Sequence, residues 1–188
     1  MHKNHSTPAV EFSPDELVAL ARLDISRERI EEALYKLKTA LNFENPPEAV
    51  FTLLARTYAQ IGLFDLADDM YRKYLDISPQ AVTEKFQLGL TLFERSRLEE
   101  ALGIWSEILA ENGSHPPALF YSALAYALKG EVARAMELLE FLLKNIPADN
   151  LYISKANNLL QELKKESRIA STKDRIDRSV YGNPEVNH

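Results

Sequence analysis

The feature that most constrains this chain is a motif that recurs at a fixed interval of 34 residues. Three segments align without a gap: GLFDLADDMYRKYLDISP at 62–79, SRLEEALGIWSEILAENG at 96–113 and GEVARAMELLEFLLKNIP at 130–147. Each segment has an alanine near its middle, and a further alanine lies one interval before the first of them. These residues are Ala33, Ala67, Ala101 and Ala135. A fixed interval of this length is typical of a fold that stacks one supersecondary unit several times.

The second helix of each predicted unit carries one apolar stripe. Apolar residues lie three positions before the small residue, and four and eight positions after it, which places them on one face of a helix. In the last unit these residues are Val132, Ala135, Leu139 and Leu143. Another apolar stripe precedes the motif in every unit, so we predict two helices per unit.

Turn and capping residues mark where these helices begin and end. Gly62 and Gly130 lie between the two helices of a unit, where glycine readily takes the left-handed conformation that stops a helix. Ser13, Pro14 and Glu16 form a capping-box pattern with proline at the first helical position. We therefore predict that the first helix begins at Pro14 and that the two helices of a unit are antiparallel.

This pattern resembles the tetratricopeptide repeat (TPR), a helix–turn–helix unit of 34 residues. The resemblance covers about residues 14–149 and is best in the second unit. The matching residues there are Phe51, Leu54, Ala55, Tyr58, Gly62, Phe64, Ala67, Tyr71 and Pro79. The first unit departs from the pattern because Asp24 replaces an aromatic residue and Glu28 replaces the turn glycine. The resemblance implies an all-α fold, a right-handed superhelix of antiparallel helix pairs.

The register divides the chain into a repeat domain and two tails. In residues 150–166 the inner stripe continues through Ile153, Ala156 and Leu160, but the other face is polar, as in a terminal capping helix. We predict a TPR domain at 13–166 and flexible tails at 1–12 and 167–188. The domain comprises repeats at 14–47, 48–81, 82–115 and 116–149, followed by a capping helix at 150–166.

Composition narrows the classes of function. The chain has 188 residues and no cysteine, which excludes disulfides, thiolate metal sites and a cysteine nucleophile. Its formal net charge of −6 disfavours general binding to nucleic acid. No apolar run has the length of a signal peptide or a membrane-spanning helix. We therefore expect a cytoplasmic protein that does not insert into a membrane.

The search for catalytic chemistry predicts no enzyme and no cofactor. Phosphate-binding loops, nucleophile elbows and zinc-binding HExxH motifs are missing from the sequence. Four histidines occur, but their surroundings do not favour a metal site. They are His2, His5, His115 and His188. Acidic pairs such as Glu31/Glu32 and Glu99/Glu100 fall in the first turn of a predicted helix, where they complement the helix dipole. Asp68 and Asp69 are interpreted as part of a solvated outer face.

The TPR resemblance implies that the first helix of each unit lines a concave groove. Residues carried over by repeat position predict a groove that is basic in the first two repeats and apolar in the last two. The predicted peptide-binding residues are Arg22, Arg56, Phe86, Leu90, Phe93, Phe120, Leu124 and Leu128. TPR proteins that grip the acidic C-terminus of heat-shock chaperones use lysine and asparagine at matching positions. Val18, Arg22 and Thr52 stand there in this chain, so that role is not expected.

The function predicted from these residues is that of a non-catalytic scaffold, which binds a peptide or amphipathic helix of another protein. A small acidic secretion-type chaperone that holds an aggregation-prone client is the alternative. Three interpretations of the second apolar stripe stay open: a ligand groove, a homo-oligomer interface and plain packing between neighbouring helices. The C-terminal tail could also occupy the groove through Ile169, Ile176 and Val180.

Overall fold

The computed structural model describes residues 12–181, and this part of the chain contains nine α-helices and no strand. The helices are α1 Pro14–Ser26, α2 Ile30–Leu41, α3 Glu48–Gln60, α4 Phe64–Ile77, α5 Val82–Glu94, α6 Leu98–Glu111, α7 Pro116–Leu128, α8 Val132–Asn145 and α9 Leu151–Tyr181. The first helices of the four repeats begin at 14, 48, 82 and 116, and the second helices begin at 30, 64, 98 and 132. The 34-residue register and the all-α fold are therefore confirmed.

The N-terminal cap of α1 is formed as predicted. The backbone N–H of Glu16 donates to Ser13 Oγ at 3.3 Å, and the backbone N–H of Ser13 donates to Glu16 Oε2 at 2.8 Å. This reciprocal pair satisfies two donors that an uncapped helix would leave without partners.

One turn conformation connects the two helices of every repeat. Gly62 and Gly130 have φ values of 77° and 79°, and Glu28 and Ser96 at the equivalent positions have φ values of 60° and 57°. In three of these turns, the backbone N–H of the residue after the turn donates a hydrogen bond to the carbonyl oxygen of the residue five positions earlier. The bonds are Arg29 to Asp24, Leu63 to Tyr58 and Glu131 to Tyr126, each with an N···O distance of 2.9 Å. This bond is part of the Schellman motif that ends many helices.

The chain consists of two compact units, Met1–Ser96 and Arg97–His188, which divide at the turn after α5. In the described part of the first unit, α1 packs on α2, α3 packs on α4, and α2 and α4 each contact the helix that follows. Ala21 on α1 and Ala33 on α2 are both completely buried, and small buried residues permit paired helices to approach closely. The buried core further includes Leu37, Leu54, Ala55, Ala67, Tyr71, Leu88 and Leu92.

The second unit contains α6 to α9 and has its own core. Helix α7 contacts α6, α8 and α9, and α8 also contacts α9. Trp105 is completely buried, as its shared register with Tyr71 and Leu139 predicts. The core around α7 comprises Leu119, Ala123, Ala135, Leu139, Leu142, Ala156, Leu160 and Leu163.

The last helix is longer than predicted. The capping helix was expected to end at Glu166, but α9 continues to Tyr181. Residues 164–181 contain neither proline nor glycine. The next residue, Gly182, is the first that favours a helix end. The predicted tail segments 1–11 and 182–188 lie outside the described residues. Among the helices of the described range, none is both long and apolar enough to cross a bilayer.

Buried aspartates correct one sequence interpretation and explain another. Asp68 was interpreted as solvated, but it is only 6% exposed and accepts hydrogen bonds from Arg72 at 2.6 Å and from Arg95 at 3.1 Å. Asp24 replaces an aromatic residue and is buried, paired with Arg29 and with Lys36 Nζ at 2.5 Å. The hydrogen bond from Lys36 is the largest of the causes that hold the pKa of Asp24 below its usual value.

Candidate peptide-binding surface

The predicted binding residues of the first unit lie on α1, α3 and α5. Arg22 on α1 is exposed, and it makes no ion pair or hydrogen bond with the rest of the described chain. Helix α1 contacts α3, which carries Arg56 at the same repeat position. The two arginines therefore occupy equivalent places on neighbouring inner helices.

Arg56 differs from Arg22 because its charge is already paired. Its Nη2 donates to Glu84 Oε1 at 2.8 Å, which joins α3 to α5. About half of the Arg56 side chain remains exposed, whereas the Glu84 side chain is 12% exposed. The prediction of a basic surface therefore needs a correction here, since Glu84 neutralises much of the field of Arg56.

The apolar residues on α5 are less accessible than predicted. Phe86 is 8% exposed and belongs to the core, so its expected exposure is wrong. The reason is that repeat position alone does not reveal how closely neighbouring helices approach. Leu90 and Phe93 are half-buried, each leaving part of its side chain at the surface.

Helix α7 carries the predicted residues of the second unit and has an unusual composition. Its thirteen residues, PPALFYSALAYAL, include no charged side chain. One face is buried through Ala118, Leu119, Ser122, Ala123 and Ala125. On the rest of the surface, Phe120 and Leu124 are half-buried and Leu128 is 62% exposed. The structure thus keeps these three residues on one helix and leaves the apolar surface increasingly open toward its C-terminus.

An aromatic cluster that the sequence analysis did not identify partly covers Phe120. The ring of Phe120 lies 5.4 Å from that of Tyr121 and 5.6 Å from that of Tyr152, which α9 contributes. Tyr121 also contacts Trp105 at 5.8 Å, and the ammonium of Lys155 lies 5.3 Å from the Tyr152 ring centroid. Burial, and then the neighbouring Tyr121, raise the pKa of Tyr152. The only sequence signal was the start of α9 in the repeat register.

His115 has a structural role at the start of α7. Its Nδ1 accepts a hydrogen bond from the backbone N–H of Ala118 at 3.2 Å, so the neutral side chain caps the helix. Burial lowers the pKa of His115 and favours this neutral form. The other three histidines lie outside the described residues. Among the side chains that the structure describes, no three histidine, cysteine or acidic groups converge so as to hold a metal ion.

Comparison with known proteins gives matches in structure but not in sequence. No protein-family model and no curated protein matches the chain. The structure of YrrB, described as a TPR protein with an unusual peptide-binding site, matches with a TM-score of 0.69 and 19% identity over 77% of this chain and 74% of that chain. The structure of MamA from Desulfovibrio magneticus RS-1 matches with a TM-score of 0.68 and 18% identity, over 92% of this chain and 99% of that chain.

A tetratricopeptide repeat protein from Parabacteroides merdae gives a TM-score of 0.72 at 19% identity, over 91% of this chain and 68% of that chain. At these identities the likeness shows the fold alone. The resemblance inferred from the repeat register is confirmed at that level.

Proposed function

We propose that this chain, which has the tetratricopeptide-repeat fold, is a non-catalytic module that binds a segment of another protein on its inner helices. YrrB, which shares the fold, is described as having a peptide-binding site. The proposed contact residues of the first unit are Arg22, Arg56, Leu90 and Phe93. Those proposed for the second unit are Leu124 and Leu128, beside the partly covered Phe120.

The observation that carries this proposal is the uncharged surface of α7. A helix at the surface of a water-soluble unit normally has a polar face, and a helix that is apolar on all sides is normally buried. Helix α7 is apolar on all sides, yet Leu128 is 62% exposed and Leu124 is half-buried. Contiguous exposed apolar surface of this kind is typical of an interaction site.

The test uses two leucines that contribute little to the core. The double variant Leu124→Ser, Leu128→Ser should stay folded and should lose its partner in co-purification followed by mass spectrometry. Phe141→Ser on α8 is the matched control, because Phe141 is also apolar and 43% exposed but lies on a second helix. Phe86 and Phe120 are less suitable, since truncating a buried phenylalanine costs about 3–5 kcal/mol of stability.

The co-purified proteins distinguish the remaining alternatives. A scaffold should retrieve members of an assembly, whereas a secretion-type chaperone should retrieve one abundant, aggregation-prone client. A homo-oligomer interface would instead appear as a decrease in molecular mass of the double variant in solution. If the double variant is folded and retrieves the same partner as the wild type, the α7 surface is not the binding site.

A further inference from the structure

Helix α1 carries four residues on one face, which we call the α1 stripe. They are Glu16, Leu20, Leu23 and Arg27, and they follow one another at intervals of four, three and four residues. Glu16, Leu23 and Arg27 are exposed and Leu20 is half-buried, and 42% of Leu23 is open to solvent. The α1 stripe thus has two leucines at its centre, an acidic residue at one end and a basic residue at the other.

The equivalent residues of the later repeats are covered. In the second repeat Val50, Leu54 and Thr57 are buried, and α3 packs on α2 of the preceding repeat as well as on α4. The same positions of the third and fourth repeats include the buried residues Leu88, Thr91, Ala118, Ser122 and Ala125.

The α1 stripe has no such cover, because no described helix precedes α1. The outer face of a terminal repeat is normally polar, since no further repeat stacks on it. Leu20 and Leu23 depart from that rule at the centre of the stripe. Exposed leucines at a position that is buried in every other repeat indicate that a further element packs on this face.

The order of residues along the α1 stripe is self-complementary when two copies of the helix run antiparallel. Leu20 lies four residues after Glu16, and Leu23 lies four residues before Arg27. A two-fold axis midway between the two leucines therefore places Leu20 opposite Leu23 of the second copy. It also places Glu16 opposite Arg27 of the second copy at both ends of the pair. In a parallel pair each charged residue would instead meet its own equivalent, which is repulsive.

The charged groups at the two ends are available for this pairing. Glu16 Oε2 accepts hydrogen bonds from the backbone N–H of Ser13 at 2.8 Å and from Ser13 Oγ at 2.9 Å, so the cap of α1 holds the carboxylate in place. Its Oε1 accepts no hydrogen bond from the described residues. The Arg27 side chain likewise makes no hydrogen bond or ion pair within the described part of the chain.

We propose that a second copy of this chain packs on the α1 stripe, with the two α1 helices antiparallel about a two-fold axis. One pair of helices buries much less than the roughly 800 Å² per partner of a standard interface, so the dimer is weak and dissociates on dilution. This interface lies on the first unit, whereas the α7 surface that carries the proposed function lies on the second. The inference therefore goes beyond the proposed function and does not depend on it.

Sedimentation equilibrium of the full chain over a range of protein concentrations measures this association. Leu23→Ser should weaken the dimer about tenfold or more, because each dimer loses two contacts between leucines. Leu66→Ser is the matched control, since Leu66 is also 42% exposed but lies on α4, and it should leave the dimer unchanged. Circular dichroism establishes that both variants keep their helices.

Charge reversal tests the antiparallel orientation. Arg27→Glu and Glu16→Arg, each alone, place like charges opposite one another at both ends of the dimer, so each should weaken it about tenfold. A mixture of the two variants should form a mixed dimer about as stable as the wild-type dimer, because both ends again pair an acid with a base. Asp15→Arg reverses an exposed charge in the same helical turn but off the α1 stripe, and it should change nothing.

Each contrary result overturns a stated part of the inference. If the wild type is monomeric at every concentration, a second copy is not the occupant, and a change in the amide resonances of residues 1–11 in Leu23→Ser would assign the face to that segment. A dimer that Leu23→Ser leaves unchanged uses another surface. If each charge variant loses the dimer and their mixture does not restore it, the antiparallel pairing is wrong.

The double variant Leu124→Ser, Leu128→Ser distinguishes this inference from the proposed function. It should keep the α1 dimer even where it loses its partner protein. Loss of the dimer in this variant would place the self-association on α7 and contradict the inference.

Discussion

Charged residues at single repeat positions account for most of the differences between the sequence-based interpretation and the structure. Asp68 was expected in water and is buried between two arginines, one of which, Arg95, comes from the next repeat. An apolar stripe is a property of one helix, so it cannot reveal a partner that another helix supplies. Asp24 is a second example. It forms ion pairs with Arg29 and Lys36, at a position where the other repeats have an aromatic or aliphatic residue.

The turn residue of the first repeat carries backbone strain that a substitution should relieve. Glu28 has a φ of 60°, a left-handed conformation that costs a residue with a Cβ about 1–2 kcal/mol. Glycine loses more conformational entropy on folding, which offsets about 0.5–1 kcal/mol of that gain. Glu28→Gly should therefore raise the free energy of unfolding in urea by about 0.5–1 kcal/mol.

The control for this change is the preceding residue. Arg27 has a φ of −105°, which any residue adopts, so Arg27→Gly should give no gain. If the Glu28→Gly protein is no more stable than the wild type, the turn is not strained at this position.

At the scale of single helices, the register predicted where elements begin better than where they end. The starts of the eight repeat helices follow the 34-residue register of apolar residues, and a predicted side-chain cap marks only the start of α1. The sequence prediction ends α9 too early because polar residues are typical of a tail, although 164–181 contains no helix-breaking residue. Exposure on α7 could not be predicted from its sequence either, because the lack of charged residues does not indicate which apolar residues α9 covers.

The cap of α7 makes folding stability depend on pH. Burial lowers the pKa of His115 in the folded state, so between that pKa and the ordinary value of about 6.5 the unfolded chain binds more protons. The stability that the neutral cap contributes is present above about pH 6.5 and is lost as the pH falls through the folded-state pKa. Protonation would also remove the acceptor for Ala118 and place a positive charge at a helix N-terminus.

The matched variant is His115→Asn, because asparagine caps a helix N-terminus without titrating in this range. Urea unfolding of both proteins at about pH 7.5 and pH 5.5 should show a larger loss of stability in the wild type. His2, His5 and His188 are present in both proteins, so the difference isolates His115. Equal losses in the two proteins would mean that the cap does not depend on the charge of His115.

For the whole molecule, the fold could be predicted from the sequence because one interval specifies the spacing, phase and pairing of eight helices. The candidate surface could be predicted only by position, since exposure depends on contacts between neighbouring helices. Thus Leu128 is open, Phe120 is partly covered by Tyr152, and Phe86 is in the core. The pairing of Arg56 with Glu84 likewise depends on how α3 meets α5.

The central claim, that the inner surface of α7 binds another protein, is tested most directly by photo-crosslinking. A benzoylphenylalanine replaces Leu128 in one protein and Phe141 in another, and each is irradiated in cells that produce it. Both positions are exposed and lie in the same unit, so they differ mainly in the surface they report. The account predicts that the probe at position 128 crosslinks a partner protein and that the probe at position 141 does not. Crosslinks at position 141 alone, or at neither position, would contradict it.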